Sequence, residues 1–424
     1  MSTSVILLTR EGAAAIRAGT GWGFVTTRTS DADGVGVVIA VSDGRGFPRP
    51  VGIVDRLHYL NVGDAKQNCT WHRVAADVNH WWLHCSAKRG VIAFDEFAGM
   101  IPGFRQPGGV TYLAITHAPD LDERHRQWAT PEFAAWRVTP AGVLPLDLEV
   151  QREKAGTALL ESHWPVGIVG AARFLVVGLG SIGGAAALAL ATAGAGTLDL
   201  VDPDRLRWHN LPRHVCGARH VGRMKAEAIR ADLELLRPDT KVNAYGHDVV
   251  EDADHIRDLL PDVDVIVCAA DGVAPRRVVS HLARRAGKPA ILSCVLADGA
   301  YGDVVRLWPW PHHGCLTCRT EALADAGGLL PDLHADAGYG SAGHPMTAVG
   351  SDLHLVGQFA AKFAVATHLQ GKGQHDQRFA GEHAVLALRP EPGWAAPYDL
   401  IRAGEVRWHS ATPPRAGCST CGPA

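Results

Sequence analysis

Gly178, Gly180 and Gly183 stand as GxGxxG between an apolar run at 174–177 and a small-residue run at 182–193, and no other feature limits the fold of this chain as strongly. The run before the glycines reads as a buried strand and the run after them as a helix. In such a turn the first glycine permits the tight bend, the second lets a phosphate approach the backbone, and the third allows close helix packing. Amides at the start of the helix then face an anion, which the helix dipole also favours. Strand and helix signals keep alternating at 198–201, 225–236, 263–268, 274–286 and 290–292. The fold class this implies is α/β, a doubly wound, mostly parallel sheet with helices on both faces.

Upstream the texture differs. Residues 1–138 offer short apolar runs, such as 36–41 and 110–115, broken by Gly, Pro and Asp, which reads as a smaller β-rich α+β module. The stretch 139–170 carries Pro140, Pro145 and Pro165 without a sustained period, so a boundary is expected near 165, dividing the chain into 1–165 and 166–424. A length of 424 residues suits two domains, and 47% hydrophobic with 20% charged residues is ordinary globular composition. The formal net charge of -3 gives no broad reason to bind nucleic acid or an anionic membrane. The apolar residues near the start of the chain are too few for a signal peptide or a span, so the expected location is cytoplasmic.

Asp202 ends the second strand of the alternating region, where an acidic side chain can accept hydrogen bonds from ribose hydroxyls. Up to this point an NAD site fits equally well. The following elements separate the readings: Asp202 and Asp204, then Asn210-Leu211 and Arg213, then Gly222 to Lys225 at a helix start, then a strand ending at Asp271. Their order and spacing resemble the ubiquitin-activating-enzyme-like (ThiF/MoeB-type) adenylyltransferase family. His214 departs from the family's usual Gln after the Arg, and Gly272 from a frequent Asn after the Asp.

The resemblance implies a Rossmann-like adenylation domain that uses ATP and Mg²⁺ to adenylate a C-terminal carboxylate. Its substrate would be the terminal glycine of a ubiquitin-like or sulfur-carrier protein. The implied catalytic residues are Arg213, Lys225 and Asp271, with Asp271 also the Mg²⁺ ligand; Gly178, Gly180, Gly183, Asp202, Asp204 and Asn210 would bind nucleotide. A carboxylate approaching the α-phosphate brings anion against anion, so cations must neutralise growing charge. An arginine makes forked contacts and a lysine acts as a point charge. Taken singly, Arg213 and Lys225 also read as surface cations, and Asp271 as a cap for a helix starting near Val273. Other functions remain open: adenylation of a peptide or small-molecule acid, an NAD-dependent oxidoreductase, or a nucleotide-bound scaffold without turnover.

Nine cysteines include two CxxC pairs, Cys315/Cys318 and Cys418/Cys421, able to supply four thiolates to a tetrahedral zinc ion that pins the C-terminal segment to the domain. A redox role for these pairs is the alternative. The family's frequent zinc clip matches the first reading. Relatives that pass on their acyl group carry a cysteine between the zinc pairs, whereas none stands between Arg319 and Gly417 here; Ala337 and Ala342 occupy the expected loop. Either the reaction ends at the acyl adenylate or one of these alanines replaces a cysteine of the natural protein. Cys268 and Cys294 lie in apolar runs and read as small core residues, which leaves Cys216 as the least buried of the central cysteines. In the first module His58, His72, His80, His84 and His117 lie near Cys69 and Cys85; His80 and His84 could share a helix face and a metal, or be solvated. Thr116-His-Ala-Pro119 faintly resembles the H-x-H-P of JAB/MPN metalloproteases without their full ligand set. Arg152 and Arg173 are the nearest arginines before the glycine loop. The resemblance also implies a homodimer.

Overall fold

The computed structural model describes residues 5–30, 34–51, 66–88, 90–107, 111–151, 156–326 and 347–422. The chain divides into two compact units, Met1–Ala155 and Gly156–Ala424. The division falls before the expected boundary near 165, because Trp164 already packs against the core of the second unit and its indole N–H donates to Ala193 O at 2.8 Å.

The first unit contains β1 (Val5–Leu8), β2 (Trp22–Ser30), β3 (Val35–Val41), a short β4 (Arg49–Pro50), β5 (Lys66–Arg73), β6 (Tyr112–His117), β7 (Phe133–Thr139) and β8 (Gly142–Val150). They follow the order β1-β8-β7-β6-β5-β2-β3, and a parallel pairing of β1 with β3 closes the ring into a barrel. Closure removes the exposed edges along which sheets aggregate. Helix α1 (Arg10–Ala18) is capped by Thr9, whose hydroxyl accepts from Gly12 N at 3.1 Å. It sends Ala13 and Ile16 into a core with Val25, Trp71, Leu113 and Phe133. A second core, with Phe97 and Trp136, joins α2 (Ala76–Lys88) and α3 (Phe94–Gly99) to the sheet; α4 (Glu123–Gln127) follows. His117 is buried here, stacked on Phe133 and bonded through Nε2 to Glu132 Oε1 at 3.1 Å. His80 and His84 do meet, Nε2 to Nε2 at 3.1 Å, but among the described residues no third ligand joins them. His58 lies outside the described residues.

The second unit is the α/β sheet expected from the alternation. Strands β9 (Arg173–Val177), β10 (Thr197–Val201), β11 (Lys241–Tyr245), β12 (Val265–Cys268) and β13 (Ala290–Leu296) run parallel in the order β11-β10-β9-β12-β13. Three antiparallel strands extend it: β14 (Tyr301–Leu307), β15 (His383–Ala387) and β16 (Val406–His409). Alternate residues serve opposite faces. Phe174 and Val176 pack with α6 (Ser181–Ala193), α7 (Lys225–Leu236) and the long α11 (Gly350–Gly371), after the short α5 (Val166–Gly170). Leu175 and Val177 pack with α8 (Ala253–Leu259) and α9 (Val273–Arg285). Strands buried on both faces read as continuous apolar runs, as 174–177 does. Helix α10 (Leu316–Asp325) follows β14. Among the described residues no helix is long and apolar enough to cross a membrane.

Candidate functional site

The strand order reverses at β9, whose neighbours β10 and β12 carry the chain away in opposite directions, and ligands of open α/β sheets bind at such a switch point beyond the strand C-termini. The glycine loop begins there. Gly178 has φ of +81°, and a Cβ on it would lie 2.4 Å from Ala270 Cα; a Cβ on Gly183 would lie 1.8 Å from Gly178 O. Both positions are closed to side chains by the chain's own backbone. Gly180 differs, since a Cβ there meets nothing within 4 Å among the described residues. It is the N-cap of α6 and supplies no side-chain hydrogen bond, so the first amides of that helix stay open to an anion.

Asp202 holds the loop from beneath. It is buried, with Oδ2 accepting from Leu179 N at 2.6 Å and Oδ1 from Asp204 N at 2.8 Å. Burial pushes its carboxyl pKa up, against the pull of Lys225 and the two amides. Lys225 opens α7 nearly buried, with Nζ 2.7 Å from Asp204 Oδ2 and 3.7 Å from Asp202 Oδ1. Asp202 and Asp204 therefore stand behind the cleft rather than on its wall. The wall itself comprises Gly180, Ser181, Asn210, Arg213, Lys225 and Asp271, with Ala269 and Ala270 beneath, around a space of about 970 Å³ including its open mouth. Arg213 is half-buried; its backbone carbonyl accepts from His354 Nε2 at 2.7 Å, which ties this segment to α11. Asn210 accepts from Arg207 N at 2.8 Å and turns the chain toward Arg213.

Asp271 does not cap α9, because the cap residue is Gly272 and no side-chain cap bond forms. Its carboxylate is reachable by solvent yet walled by protein. That enclosure raises its pKa, opposed by the facing charges of Lys225, Arg213 and Arg276. A carboxylate without a hydrogen bond from any described residue, set among cations at the mouth of the glycine loop, has the donor chemistry that suits Mg²⁺.

Three further residues line the cleft: His214 and Cys294, which the sequence assigns no role in the site, and Arg276, which it does not single out. His214 is buried, and Cys216 N donates to its Nδ1 at 3.0 Å, which leaves Nε2–H to donate to Leu179 O at 2.9 Å. Burial, with the nearby charges of Lys225 and Arg213 and against the bond to Leu179 O, lowers its pKa to about 4, so the ring is neutral. A glutamine side chain also offers both an N–H donor and an acceptor oxygen, the two functions that His214 uses here. Arg276 donates from Nε to Gly272 O at 2.8 Å and from Nη1 to Cys294 Sγ at 2.8 Å. Cys294 lines the cleft. This reverses the expected ranking of the cysteines: Cys216 is 2% exposed, and burial with the neighbouring Asp232 pushes its thiol up to about 12. The periodicity of β13 shows an apolar run but not that its Cys294 side faces the cleft. Arg173 sits at the other end of β9, bonded to Asp199 Oδ2 at 2.6 Å and Asp262 Oδ2 at 3.0 Å, and so cannot reach the loop. Arg152, Ala337 and Ala342 lie outside the described residues.

Away from the cleft, the four expected cysteines converge. Sγ atoms stand 3.8 Å apart for Cys315–Cys318, 3.6 Å for Cys315–Cys418 and 3.8 Å for Cys318–Cys421. A tetrahedral ion with Zn–S bonds of about 2.3 Å needs sulfurs about 3.8 Å apart. Cys315 N donates to Cys421 Sγ and Arg415 N to Cys318 Sγ, each at 3.3 Å, as thiolates require. The set fits zinc.

Residues 169–375 match the ThiF family. The sulfur carrier protein ThiS adenylyltransferase of Escherichia coli K12 is 30% identical over 147 residues, covering 34% of this chain and 57% of that protein. The enzyme of the same name from Bacillus subtilis 168 is 32% identical over 160 residues, covering 37% and 46%. The solved structure of E. coli MccB with ATP aligns at a TM-score of 0.45 and 18% identity, covering 61% of this chain and 68% of that one. This chain spans between about a quarter and a little over half the length of the curated relatives that it matches first.

Proposed function

We propose that this chain, whose residues 169–375 are a ThiF-family domain, is an adenylyltransferase that joins AMP from ATP to the C-terminal carboxylate of a protein substrate. The observation that carries the reading is the convergence of Arg213, Lys225, Arg276 and Asp271 on the open amides of α6. A dinucleotide site needs the glycine loop and an acidic residue for the ribose, but not three cations around a further carboxylate.

In the reaction a substrate carboxylate oxygen bonds to the α-phosphorus while the bond to the β-phosphate bridging oxygen breaks, releasing pyrophosphate. No base is needed, because the nucleophile is ionised at neutral pH. The amides at the start of α6 receive phosphate oxygens, and Arg213 and Lys225 balance the charge that grows in transfer. Lys225 would exchange part of its pairing with Asp204 for the phosphates. Mg²⁺ held at Asp271 would supply further positive charge beside them. Asp202 fixes the loop from behind the cleft. His214 keeps Leu179 O turned away from the anion by donating to it. The four-cysteine set holds zinc and secures the C-terminal segment.

The names of two relatives, sulfur carrier protein ThiS adenylyltransferases, support a sulfur-carrier protein or a similar small protein as the substrate, and the family resemblance points to its terminal glycine. No cysteine stands between Arg319 and Gly417, which supports a product that remains an acyl adenylate. We also propose a cytoplasmic homodimer. The test is ATP–pyrophosphate exchange with small carrier proteins ending in glycine. Exchange should require the carrier and vanish when its last residue is removed. Absence of exchange with every glycine-ended carrier, together with calorimetric binding of NAD rather than ATP, would overturn the reading.

A further inference from the structure

Beyond the end of β11, His247, Asp252 and His255 each bring one ligand atom within 4.8 Å of the others, a grouping among the described residues matched only by the four cysteines. His247 Nδ1 lies 3.5 Å from Asp252 Oδ2, and the two imidazoles stack face to face at 4.6 Å with planes 11° apart. Asp252 precedes α8 and His255 lies one turn into it, so both project from the same face of that helix start. A simple ion pair would account for His247 and Asp252. It leaves out His255, which brings the third donor and whose ring stacks on His247, itself stacked on Tyr245 at 6.2 Å.

The surroundings are built to keep the carboxylate in place. Asp248 N donates to Asp252 Oδ2 at 2.9 Å, and Asp248 Oδ1 itself accepts from Val250 N at 2.8 Å and Glu251 N at 3.2 Å. A backbone amide on a ligating carboxylate is the outer-shell support that metal sites use. Two imidazoles and one carboxylate suit Zn²⁺, Co²⁺ or Ni²⁺ rather than Mg²⁺ or Ca²⁺, which prefer all-oxygen sets. Ligand atoms in a tetrahedral site stand about 3.4 Å apart for bonds of about 2.1 Å, so on binding the two stacked rings would turn about their side-chain bonds until their in-plane lone pairs converge on one ion.

We propose that His247, Asp252 and His255 form a second divalent transition-metal site, with three protein ligands and at least one position open to solvent. It differs in kind from the closed four-sulfur set. The site joins the edge strand that also touches the glycine loop's support, since Asp202 N donates to Tyr245 O at 3.1 Å.

Metal content of the full chain tests this directly. The chain, equilibrated with Zn²⁺ and analysed by mass spectrometry, should retain about one equivalent more than the H247A/H255A variant. Titration with Co²⁺ should add d–d absorption without new sulfur-to-cobalt bands, and H255A alone should weaken that phase by about tenfold or more. His255 is exposed, so H255A leaves the core untouched and keeps the test valid if the double variant folds poorly. Equal zinc content in the chain and the double variant, or a cobalt phase unchanged by H255A, would overturn the proposal.

Discussion

Asp303 and Asp271 are both aspartates facing arginines in the second unit, yet their surroundings are opposite. Asp303 Oδ2 accepts from Tyr398 Oη at 2.7 Å, Arg319 Nη2 at 2.9 Å and His383 Nε2 at 2.9 Å, beneath a fully covered surface. Burial pushes its carboxyl up, but Arg319, His383 and these bonds pull it far below the usual carboxylate range. Asp271 faces Arg213, Lys225 and Arg276 without a hydrogen bond from any described residue, and enclosure leaves its pKa raised. One carboxylate is saturated and serves the fold. The other keeps its bonding capacity for something that enters the cleft. Counting charged residues would not tell them apart; counting their partners does.

The largest effect should come from the saturated side. Helix α10 carries both Cys318 and Arg319, so stripping the four-sulfur site also unseats the arginine that holds Asp303. Structural zinc can contribute on the order of 10 kcal/mol, and calorimetry after chelation should show a lowered or lost unfolding transition. An unchanged Tm in zinc-free protein would separate the cluster from the arginine network.

Twin isosteric substitutions then set the two aspartates against each other. Asp303→Asn leaves Arg319 as a buried unpaired cation and should destabilise the fold by about 3–5 kcal/mol, lowering Tm by on the order of 10 °C. Asp271→Asn removes a charge that burial disfavours, so Tm should hold or rise while pyrophosphate exchange falls by about 10²-fold or more. Their pH responses should carry opposite signs. The depressed Asp303 pKa contributes stability that is present above the unfolded value of about 3.9 and is lost as pH falls. The raised Asp271 pKa favours the protonated form and so weakens the fold as pH climbs through that range. A matching Tm loss in both variants would break the comparison.

The smallest expected effect concerns His214. Its folded pKa of about 4 lies below the unfolded value of 6.5, so its contribution is complete above pH 6.5 and is lost as pH falls toward 4. His214→Gln should flatten that part of the stability curve and retain most activity, whereas His214→Leu should lose exchange. An unaltered slope in denaturant titrations between these pH values would assign the dependence elsewhere.

The parts legible in the sequence are those whose geometry is local. GxGxxG specifies its turn through backbone sterics within a few residues, and each CxxC offers two sulfurs from one short segment. Arg213, Lys225 and Asp271 were found through the spacing of a family pattern, and all three meet in the cleft. What escaped depends on distant pairing. The barrel closes through parallel contacts of β1 with both β3 and β8, which no local pattern announces. His354 reaches Arg213 O across 141 positions of chain. Cys294 and Cys216 differ from their expected exposure because the first, on a strand, faces the cleft, whereas the second, on a connecting segment, turns into the core beside Asp232. The antiparallel strands β14, β15 and β16 lie beyond the last alternation that the sequence displayed, and β15 and β16 are separated from it by a long helix.

The three glycines of the loop answer to different authorities. A methyl group at Gly178 or Gly183 would collide with the polypeptide, so those positions are fixed before any ligand arrives. A methyl group at Gly180 would collide with nothing that the described chain itself supplies. Gly180→Ala is therefore a dissecting tool: a single carbon that the folding reaction ignores and the phosphate of the proposed nucleotide would not, dividing the inheritance of shape from the inheritance of chemistry.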